Sequence, residues 1–177
     1  MPDYRRNFVA GGTYFFTLIT SRRRPLFRQD SARKLLKKTM LDCFERRPVQ
    51  VVAMVLMPEH LHTLWTLPPG DSDYSTRWRI IKNNFTTKWR AAINHRAKQE
   101  SAVWQPRFWE HTIRDEADLE AHFDYIHFNP VKHGEVDSVH KWPWSTFHRW
   151  VESGHYHHEW GKSYVVPSMP GGAGEIL

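Results

Sequence analysis

The segment from Gln50 to Leu67 constrains the fold most strongly, because it reads as two buried strands joined by a tight turn. The run from Val51 to Met57 is uncharged and rich in β-branched residues, which predicts a strand. Pro58-Glu59 interrupts this run as a turn would, and a strand pattern resumes from Leu61 to Leu67. Consecutive strands so close in sequence form a hairpin, so we expect an antiparallel sheet, with this hairpin in the middle of the order of elements along the chain.

The segments on either side of the hairpin alternate between strand and helix patterns. The third helix is expected to stop near Asn129, because Pro130 disfavours helical backbone in the residue before it. The predicted order is therefore β-α-β-β-α-β-α, which indicates an α+β fold: a ferredoxin-like antiparallel sheet flanked by helices. The flanking elements are a strand at 13–20, a helix from Asp30 or Ser31 to about Arg46, a helix from Ser75 to about Lys98, a strand within 103–113 and a helix from near Asp115.

Size and composition predict one folded domain with a basic surface. The chain has 177 residues, of which 40% are hydrophobic and 14% aromatic, and this composition excludes a disordered protein. Residues 1–160 are assigned to a single catalytic domain, and the glycine-rich residues 161–177 to a tail that is expected to be flexible. The net charge of +6 favours a polyanionic partner such as nucleic acid.

Cysteine content and hydropathy bear on the compartment. Cys43 is the only cysteine, which excludes an intramolecular disulfide and a cysteine-based zinc site within one chain. No stretch approaches the roughly 20 apolar residues that a membrane helix requires. We therefore expect a soluble, cytoplasmic protein without a membrane partner.

Two histidines stand one residue apart at the start of the second hairpin strand, in the sequence MPEHLHTLW. Alternate residues of a strand point to opposite faces, so His60 and His62 share one face, and Leu61 and Trp65 share the other. Two imidazoles side by side on a rigid strand can chelate one metal ion. They can equally be polar residues on a half-exposed sheet face, and the pair alone does not decide between these readings.

The third predicted helix contains HFDYIHFNPVKHGEV and offers further chemistry. Tyr125 and Asn129 are four residues apart and so lie on one helix face. The amide oxygen of Asn129 can bind a hard cation such as Mg²⁺ or Mn²⁺. A phenol is a nucleophile once its proton leaves, although its ordinary pKa of about 10 means that attack at neutral pH needs help. Tyr125 can also be a packing residue. Spacing does not single out His122, His127 and His133, most of which are expected at the surface.

Taken together, the two segments resemble a known family. MPEHLHTLW is similar to the "HUH" strand (histidine, bulky hydrophobe, histidine) of single-tyrosine DNA transposases. YIHFNPVKHGEV is similar to the tyrosine helix of the branch called REP-associated tyrosine transposases. The resemblance extends over most of the chain and includes GGTYFFTLIT, Pro25-Leu26-Phe27, Ile81-Lys82, Arg107-Phe108-Trp109-Glu110 and Trp142-Pro143-Trp144-Ser145.

This resemblance implies an activity and a role for each site residue. His60, His62 and Asn129 would be ligands of Mg²⁺ or Mn²⁺, although many insertion-sequence relatives have glutamine in place of the asparagine. Tyr125 would attack single-stranded DNA beside a hairpin, forming a 5′-phosphotyrosine link that a 3′-hydroxyl can later reverse without ATP. The family also implies a ferredoxin-like fold and binding of imperfect palindromes with a short 5′ guide sequence. The tail after Trp160 matches nothing in the family pattern.

Basic residues on either side of the first strand, and one on the second helix, suggest where DNA would lie. Interleaved tryptophan and arginine would suit both stacked bases and phosphates. Most tryptophans are nevertheless expected in the core, especially Trp78, Trp89 and Trp144. The DNA-contact candidates are Arg5, Arg6, Arg22, Arg23, Arg24 and Lys82.

Two other functions share this sequence pattern. One is a protein of the same fold that binds hairpin DNA without cleaving it. The other is a metal-dependent nuclease that activates water, with Tyr125 as a bystander. The intact set of His60, His62, Tyr125 and Asn129 favours the covalent enzyme, and whether the active unit is a monomer or a homodimer is left open.

Overall fold

A computed structural model describes residues 6–93 and 102–162, and its centre is a four-stranded antiparallel sheet. The strands are β1 (Thr13–Ile19), β2 (Gln50–Leu56), β3 (His60–Thr66) and β4 (Trp109–Thr112). The helices are α1 (Asp30–Arg46), α2 (Tyr74–Ala92), α3 (Glu116–Lys132) and α4 (Phe147–Glu152). Short 3₁₀ turns occupy Ser21–Arg23, Leu26–Arg28 and Val139–Lys141.

The order of the strands across the sheet is β2-β3-β1-β4, and every neighbouring pair is antiparallel. Strands β2 and β3 form the predicted hairpin. Helix α1 joins β1 to β2 across the intervening β3, and α2 joins β3 to β4 across the intervening β1. These are two interlocked split βαβ units, so the predicted ferredoxin-like α+β fold is confirmed.

Alternation along the strands gives the sheet a hydrophobic core on each face. On β1, Tyr14 and Phe16 belong to the core that α1 and α2 cover, whereas Phe15 belongs to the opposite core. On β3, Leu61 and Trp65 point the first way and Leu64 points the second way. The second core is covered by α3, α4 and the segment after them, so the helix that carries Tyr125 lies on the face shared by Phe15 and Leu64.

Helix α3 begins where the sequence indicates but ends later than predicted. The side chain of Asp115 accepts a hydrogen bond from the backbone N–H of Asp118 at 2.9 Å, which caps the helix start. The helix then continues through Pro130 to Lys132, so the prediction of an end at Asn129 was wrong. Pro130 is buried in the last turn, where its missing N–H removes one helical hydrogen bond, and the N–H of His133 bonds the carbonyl of Asn129 at 3.0 Å.

Two other predicted elements are shorter in the structure. Helix α2 ends at Ala92, because Ile93 has extended backbone, with φ −91° and ψ 144°. The predicted continuation from residue 94 to Lys98 lies outside the described residues. Within the predicted strand 103–113, only β4 is a strand, and Trp104 forms an isolated bridge with Thr20.

The prediction that Trp78, Trp89 and Trp144 are core residues holds for the first two and was wrong for the third. Trp144 is 37% exposed, and the guanidinium of Arg33 lies 4.0 Å from its ring centre. Trp142 instead takes the buried position in the Trp-Pro-Trp segment, where its indole N–H donates to the carbonyl of Leu56 at 3.1 Å. Two tryptophans so close together in an irregular segment need not both face the core.

Trp160, the last residue of the predicted domain, packs against the second core. The ring of Trp160 lies 4.5 Å from that of Tyr156, which belongs to the second core. Residues 163–177, most of the predicted tail, lie outside the described residues. Within 6–93 and 102–162, no helix combines the length and the hydropathy needed to cross a lipid bilayer.

Candidate active site

Strand β3 places the two histidines of the HUH-like segment on the α3 side of the sheet. His60 and His62 are 1% and 0% exposed, and their ring centres are 4.6 Å apart. The strand alternation predicted this shared face. Their burial was not predicted, and it means that each ring is held by neighbouring side chains.

Each histidine is oriented by a hydrogen bond at Nδ1. Thr17 lies directly opposite His62 in the β1–β3 register, and its hydroxyl oxygen is 2.9 Å from His62 Nδ1. His60 Nδ1 lies 2.8 Å from Glu59 Oε1, and this hydrogen bond lowers the pKa of the Glu59 carboxyl against the effect of burial. An ionised carboxylate only accepts, so His60 donates from Nδ1 and its Nε2 offers a lone pair when the ring is neutral.

Helix α3 brings Asn129 to this pair of histidines. Asn129 is fully buried, and its amide oxygen Oδ1 lies 3.1 Å from His60 Nε2. When the His60 ring is neutral, both of these atoms are acceptors, so a divalent cation matches the arrangement better than a hydrogen bond does. Two imidazoles and an amide oxygen with fixed outer partners therefore fit a metal site, and each histidine would coordinate through Nε2.

Tyr125 lies one helical turn before Asn129, against the same histidines. It is 3% exposed, and its ring centre is 5.3 Å from that of His62 and 6.1 Å from that of Phe15. Lys132 Nζ donates to the Tyr125 hydroxyl oxygen at 3.1 Å and lies 4.6 Å from the ring centre. The phenol oxygen therefore faces a positive charge beside the predicted metal ligands.

Four residues that contact this centre were not predicted as part of the site: Thr17, Glu59, Lys132 and His133. Lys132 follows Tyr125 by two helical turns and so lies on the same helix face. The sequence prediction ended the helix before Pro130, and this relation was therefore not recognised. The ring of His133 is exposed yet lies only 5.2 Å from the ring of His60. The prediction that most histidines of this helix lie at the surface was wrong, because His122 and His127 are fully buried. Thr17 becomes recognisable only when the β1–β3 register is known.

The arginines after β1 lie at the edge of this centre. Arg23 Nη1 is 3.9 Å from Glu59 Oε1, the carboxylate that orients His60. Arg22 and Arg23 both have left-handed backbone, with φ of 55° and 48°, which is costly for residues with a Cβ. Arg24 is turned away and donates from Nη2 to the carbonyl of Ala102 at 3.0 Å.

The other DNA-contact candidates lie on the opposite side of the sheet, near α2. Arg6 donates to the hydroxyl of Ser75 at 2.6 Å and stacks over Phe108. Lys82 Nζ donates to the carbonyl of Gln105 at 2.8 Å, and burial lowers its pKa. Arg5 lies outside the described residues. The structure thus separates the described candidates into two groups: Arg23 reaches the carboxylate that orients His60, whereas Arg6 and Lys82 lie near α2.

Comparison with known proteins gives consistent matches. The sequence model of the family described as "Transposase IS200 like" matches residues 8–129, which include all four predicted site residues. A REP-associated tyrosine transposase of Escherichia coli K12 is 45% identical over 90% of this chain and 91% of its own length. A Haemophilus influenzae protein assigned provisionally to the same class is 40% identical over 91% of this chain and 94% of its own length. A solved structure of a REP-associated tyrosine transposase bound to a REP hairpin superposes with a TM-score of 0.83, at 42% identity, covering 96% of both chains.

Proposed function

The chain belongs to the IS200-like transposase family, and from this we propose that it cuts and rejoins single-stranded DNA at hairpin sites through a covalent bond to Tyr125. The observation that carries the proposal is the position of the Tyr125 hydroxyl, which accepts a hydrogen bond from Lys132 beside the His60–His62 pair. A tyrosine that served only for packing would not need an ammonium group on its oxygen together with three potential metal ligands nearby.

The proposed reaction is a transfer of one phosphodiester bond. The phenol oxygen of Tyr125 loses its proton and attacks phosphorus, the bond from phosphorus to the 3′ oxygen breaks, and that oxygen takes up a proton. The products are a 5′-phosphotyrosine and a free 3′-hydroxyl. Because the new phosphodiester keeps the bond energy, a 3′-hydroxyl can attack it, release Tyr125 and rejoin DNA without ATP.

The residues that would hold the metal ion are His60, His62 and Asn129. Bound there, Mg²⁺ or Mn²⁺ would polarise the scissile phosphate and offset the negative charge that develops on it. The protein itself orients the ligands: Glu59 and Thr17 hold the two rings by Nδ1, and α3 holds the amide in place.

Lys132 supplies the help that a tyrosine nucleophile needs near neutral pH. Its ammonium group donates to the phenol oxygen, and this interaction strengthens when that oxygen becomes negative. Tyr125 is also largely shielded from water by Phe15 and His62, which strengthens the attraction further. Lys132 therefore stabilises the attacking form of Tyr125.

Hairpin DNA of the REP type is the proposed substrate. The relative with 42% identity was solved bound to a REP hairpin, and this chain matches almost all of that structure. The net charge of +6 favours a polyanion, and the turn at Arg22 and Arg23 reaches Glu59, the carboxylate that orients His60. We infer that this turn contacts phosphates close to the cleaved bond.

Covalency separates this proposal from its two rivals. A nuclease that activates water would leave free DNA ends and no protein–DNA link, and a pure binding protein would leave the strand intact. The test incubates a single-stranded oligonucleotide that carries a REP-type hairpin with the protein and Mn²⁺, and then analyses the mixture on a denaturing protein gel. A slower band that needs both the metal ion and Tyr125 is the expected result.

Matched variants make the test specific. Tyr125→Phe should lose the covalent band but keep hairpin binding, whereas Tyr156→Phe, at another buried tyrosine of the same core, should keep both. His62→Ala should lose metal-dependent cleavage, and His140→Ala, at an exposed histidine, should not. A covalent band that persists in Tyr125→Phe would assign the nucleophile to another residue, and cleavage without any band would favour the nuclease.

A further inference from the structure

A second cluster of potential metal ligands lies between β4 and the start of α3. His111 is on β4, and Asp118 and His122 are one turn apart on α3. One ligand atom from each of the three residues falls within 4.8 Å of the other two. The ring of Phe15 contacts both His122 and His62, at 4.9 Å and 5.3 Å, and so separates this cluster from the candidate active site.

The hydrogen bonds of His122 determine which of its nitrogens carries a lone pair. Nδ1 lies 2.8 Å from the backbone carbonyl oxygen of Asp118, one turn earlier in the helix. A carbonyl can only accept, so Nδ1 is the protonated nitrogen and Nε2 has the lone pair. Among the described residues, Nε2 has no hydrogen-bond partner, and His122 is fully buried.

Asp118 presents a second buried acceptor of the same kind. Its Oδ2 accepts from the backbone N–H of Arg114 at 3.0 Å, from Arg114 Nε at 3.1 Å and from His111 Nε2 at 2.8 Å. Its Oδ1 lies 3.2 Å from His122 Nδ1 without the geometry of a hydrogen bond and has no hydrogen-bond partner among the described residues, although Asp118 is only 4% exposed. Buried acceptors without a donor are rare in native proteins and call for an explanation such as a bound ion.

We propose that His111, Asp118 and His122 form a Zn²⁺-binding site, separate from the candidate active site. Two imidazoles and one carboxylate oxygen are a ligand set that zinc accepts, with a fourth position reachable from the partly exposed side of His111. Ligand atoms of tetrahedral zinc lie about 3.3 Å apart. The ligand atoms of the three residues, now within 4.8 Å of one another, would therefore have to move closer together by no more than about 1.5 Å. Outer hydrogen bonds to the Asp118 carboxylate and to His122 Nδ1 already orient two of the ligands, as they do in known sites.

The site would link strand β4 to the first two turns of helix α3, which follows it directly in the chain. His111 belongs to an edge strand of four residues, and Asp118 and His122 belong to the first two turns of the helix that carries Tyr125. A metal ion bound to all three would fix the start of α3 against the sheet. The expected role is structural, and its readout is metal binding and thermal stability, neither of which needs DNA.

The test uses the full chain with His60→Ala and His62→Ala, which removes the other candidate chelate. Co²⁺ serves as a visible probe, because tetrahedral Co²⁺ in a zinc site absorbs strongly and Zn²⁺ displaces it. We expect one Co²⁺ per chain, loss of its absorption when Zn²⁺ is added, and a rise in Tm with Zn²⁺. The absence of saturable Co²⁺ binding in this background would overturn the proposal.

Further variants in the same background assign the ligands. His111→Gln changes a partly exposed residue and removes a direct ligand. Loss of an outer-shell partner alone weakens metal affinity by up to about 100-fold, so this variant should weaken Co²⁺ affinity by more than about 100-fold. Asp118→Asn should also weaken the affinity, and in both variants Zn²⁺ should no longer raise Tm. Unchanged affinity in His111→Gln would overturn the proposal even if Asp118→Asn failed to fold.

The control variant addresses the other histidine-rich segment. His157 and His158 are exposed neighbours with ring centres 4.5 Å apart, and they could bind a metal ion weakly. His157→Ala with His158→Ala, added to the same background, should leave the Co²⁺ spectrum and affinity unchanged. Loss of the signal in this control would assign the ion to His157 and His158 and refute the site between β4 and α3.

Discussion

At the scale of single residues, the proposed nucleophile Tyr125 depends on a hydrogen bond from Lys132, which follows it by 7 residues along the chain. Tyr125 is 3% exposed, and its hydroxyl receives an N–H from Lys132, which extends from the last turn of α3. A phenolate in these surroundings would have few water molecules to stabilise it, so the ammonium group takes that role. We therefore expect Lys132 to contribute to reactivity more than to folding.

Removing this charge should slow cleavage without preventing binding. Lys132→Met is expected to reduce the first-order cleavage rate about 100-fold, the cost typical of losing one group that stabilises developing charge. Hairpin affinity should change little. Single-turnover cleavage measured with saturating protein separates the two quantities.

Two further variants show whether the loss of positive charge causes the slower cleavage in Lys132→Met. Lys132→Arg keeps the positive charge and should recover part of the rate, whereas Lys141→Met removes a charge that pairs with Asp137 and should have no effect. Equal rates for Lys132→Met and the wild type would mean that another group assists Tyr125.

His127 should make stability dependent on pH. Burial, with smaller contributions from Arg149, His155 and His148, lowers its pKa from 6.5 to about 3. The unfolded chain therefore binds this proton at a higher pH than the folded chain, so stability is complete above pH 6.5 and is lost as the pH falls towards about 3. The measurement is the free energy of unfolding in urea at several pH values across this range.

A conservative variant isolates the contribution of His127. His127→Gln can keep the hydrogen bonds to Thr146 and Tyr156 and cannot titrate, so its stability should fall less steeply with acid. His157→Gln, at an exposed histidine, should keep the steep fall. Parallel curves for wild type and His127→Gln would show that other groups cause the acid sensitivity.

At the scale of elements, the turn after β1 combines strain with exposure. Arg22 and Arg23 both occupy left-handed backbone, a conformation that costs a residue with a Cβ about 1–2 kcal/mol. Glycine or asparagine would adopt it more cheaply, so two arginines here suggest that their charge is needed. The proposed phosphate contact provides a reason.

This reasoning predicts opposite effects on stability and binding. Arg22→Gly relieves the strain but adds about 0.5–1 kcal/mol of unfolded-state entropy, so the free energy of unfolding should stay constant or rise by up to about 1.5 kcal/mol. Hairpin affinity should decrease at the same time. Arg22→Lys keeps both the strain and the charge and should match the wild type, and undiminished affinity in Arg22→Gly would remove Arg22 from the DNA surface.

The elements also show what the sequence could and could not predict. Alternation on β3 was enough to place His60 and His62 on one face, because the period of a strand depends on backbone geometry alone. The roles of Thr17 and Glu59 depend on strand register and side-chain rotamers, which local patterns do not encode. The end of α3 was misjudged because tertiary burial of Pro130 outweighed its local preference.

At the scale of the whole molecule, the excess of positive charge should govern DNA affinity. The net charge is +6, and counterions are released when lysine and arginine neutralise phosphates. For three phosphate contacts, the affinity for duplex hairpin DNA should fall about 40-fold between about 50 mM and 200 mM salt. Fluorescence anisotropy at several salt concentrations measures this slope.

The salt dependence of DNA affinity also tests which arginines contact phosphates. Replacing Arg22 by glutamine should lower the slope by roughly one contact, and replacing Lys34, which pairs with Asp30 on α1, should not. A slope that does not depend on Arg22 but decreases when Arg6 or Lys82 is replaced would move the DNA to the α2 side of the sheet.

All four strands precede α3 along the chain, and this order has a consequence for synthesis on the ribosome. The histidines emerge with the sheet, and the tyrosine emerges only after the last strand is complete. A chain that stops before α3 would leave the apolar face of Phe15, Val55 and Leu64 uncovered, and such a surface leads to aggregation and degradation. Under the proposed function, a fragment that carries the histidines without the tyrosine would therefore be short-lived and would not persist to occupy hairpins that it cannot cut.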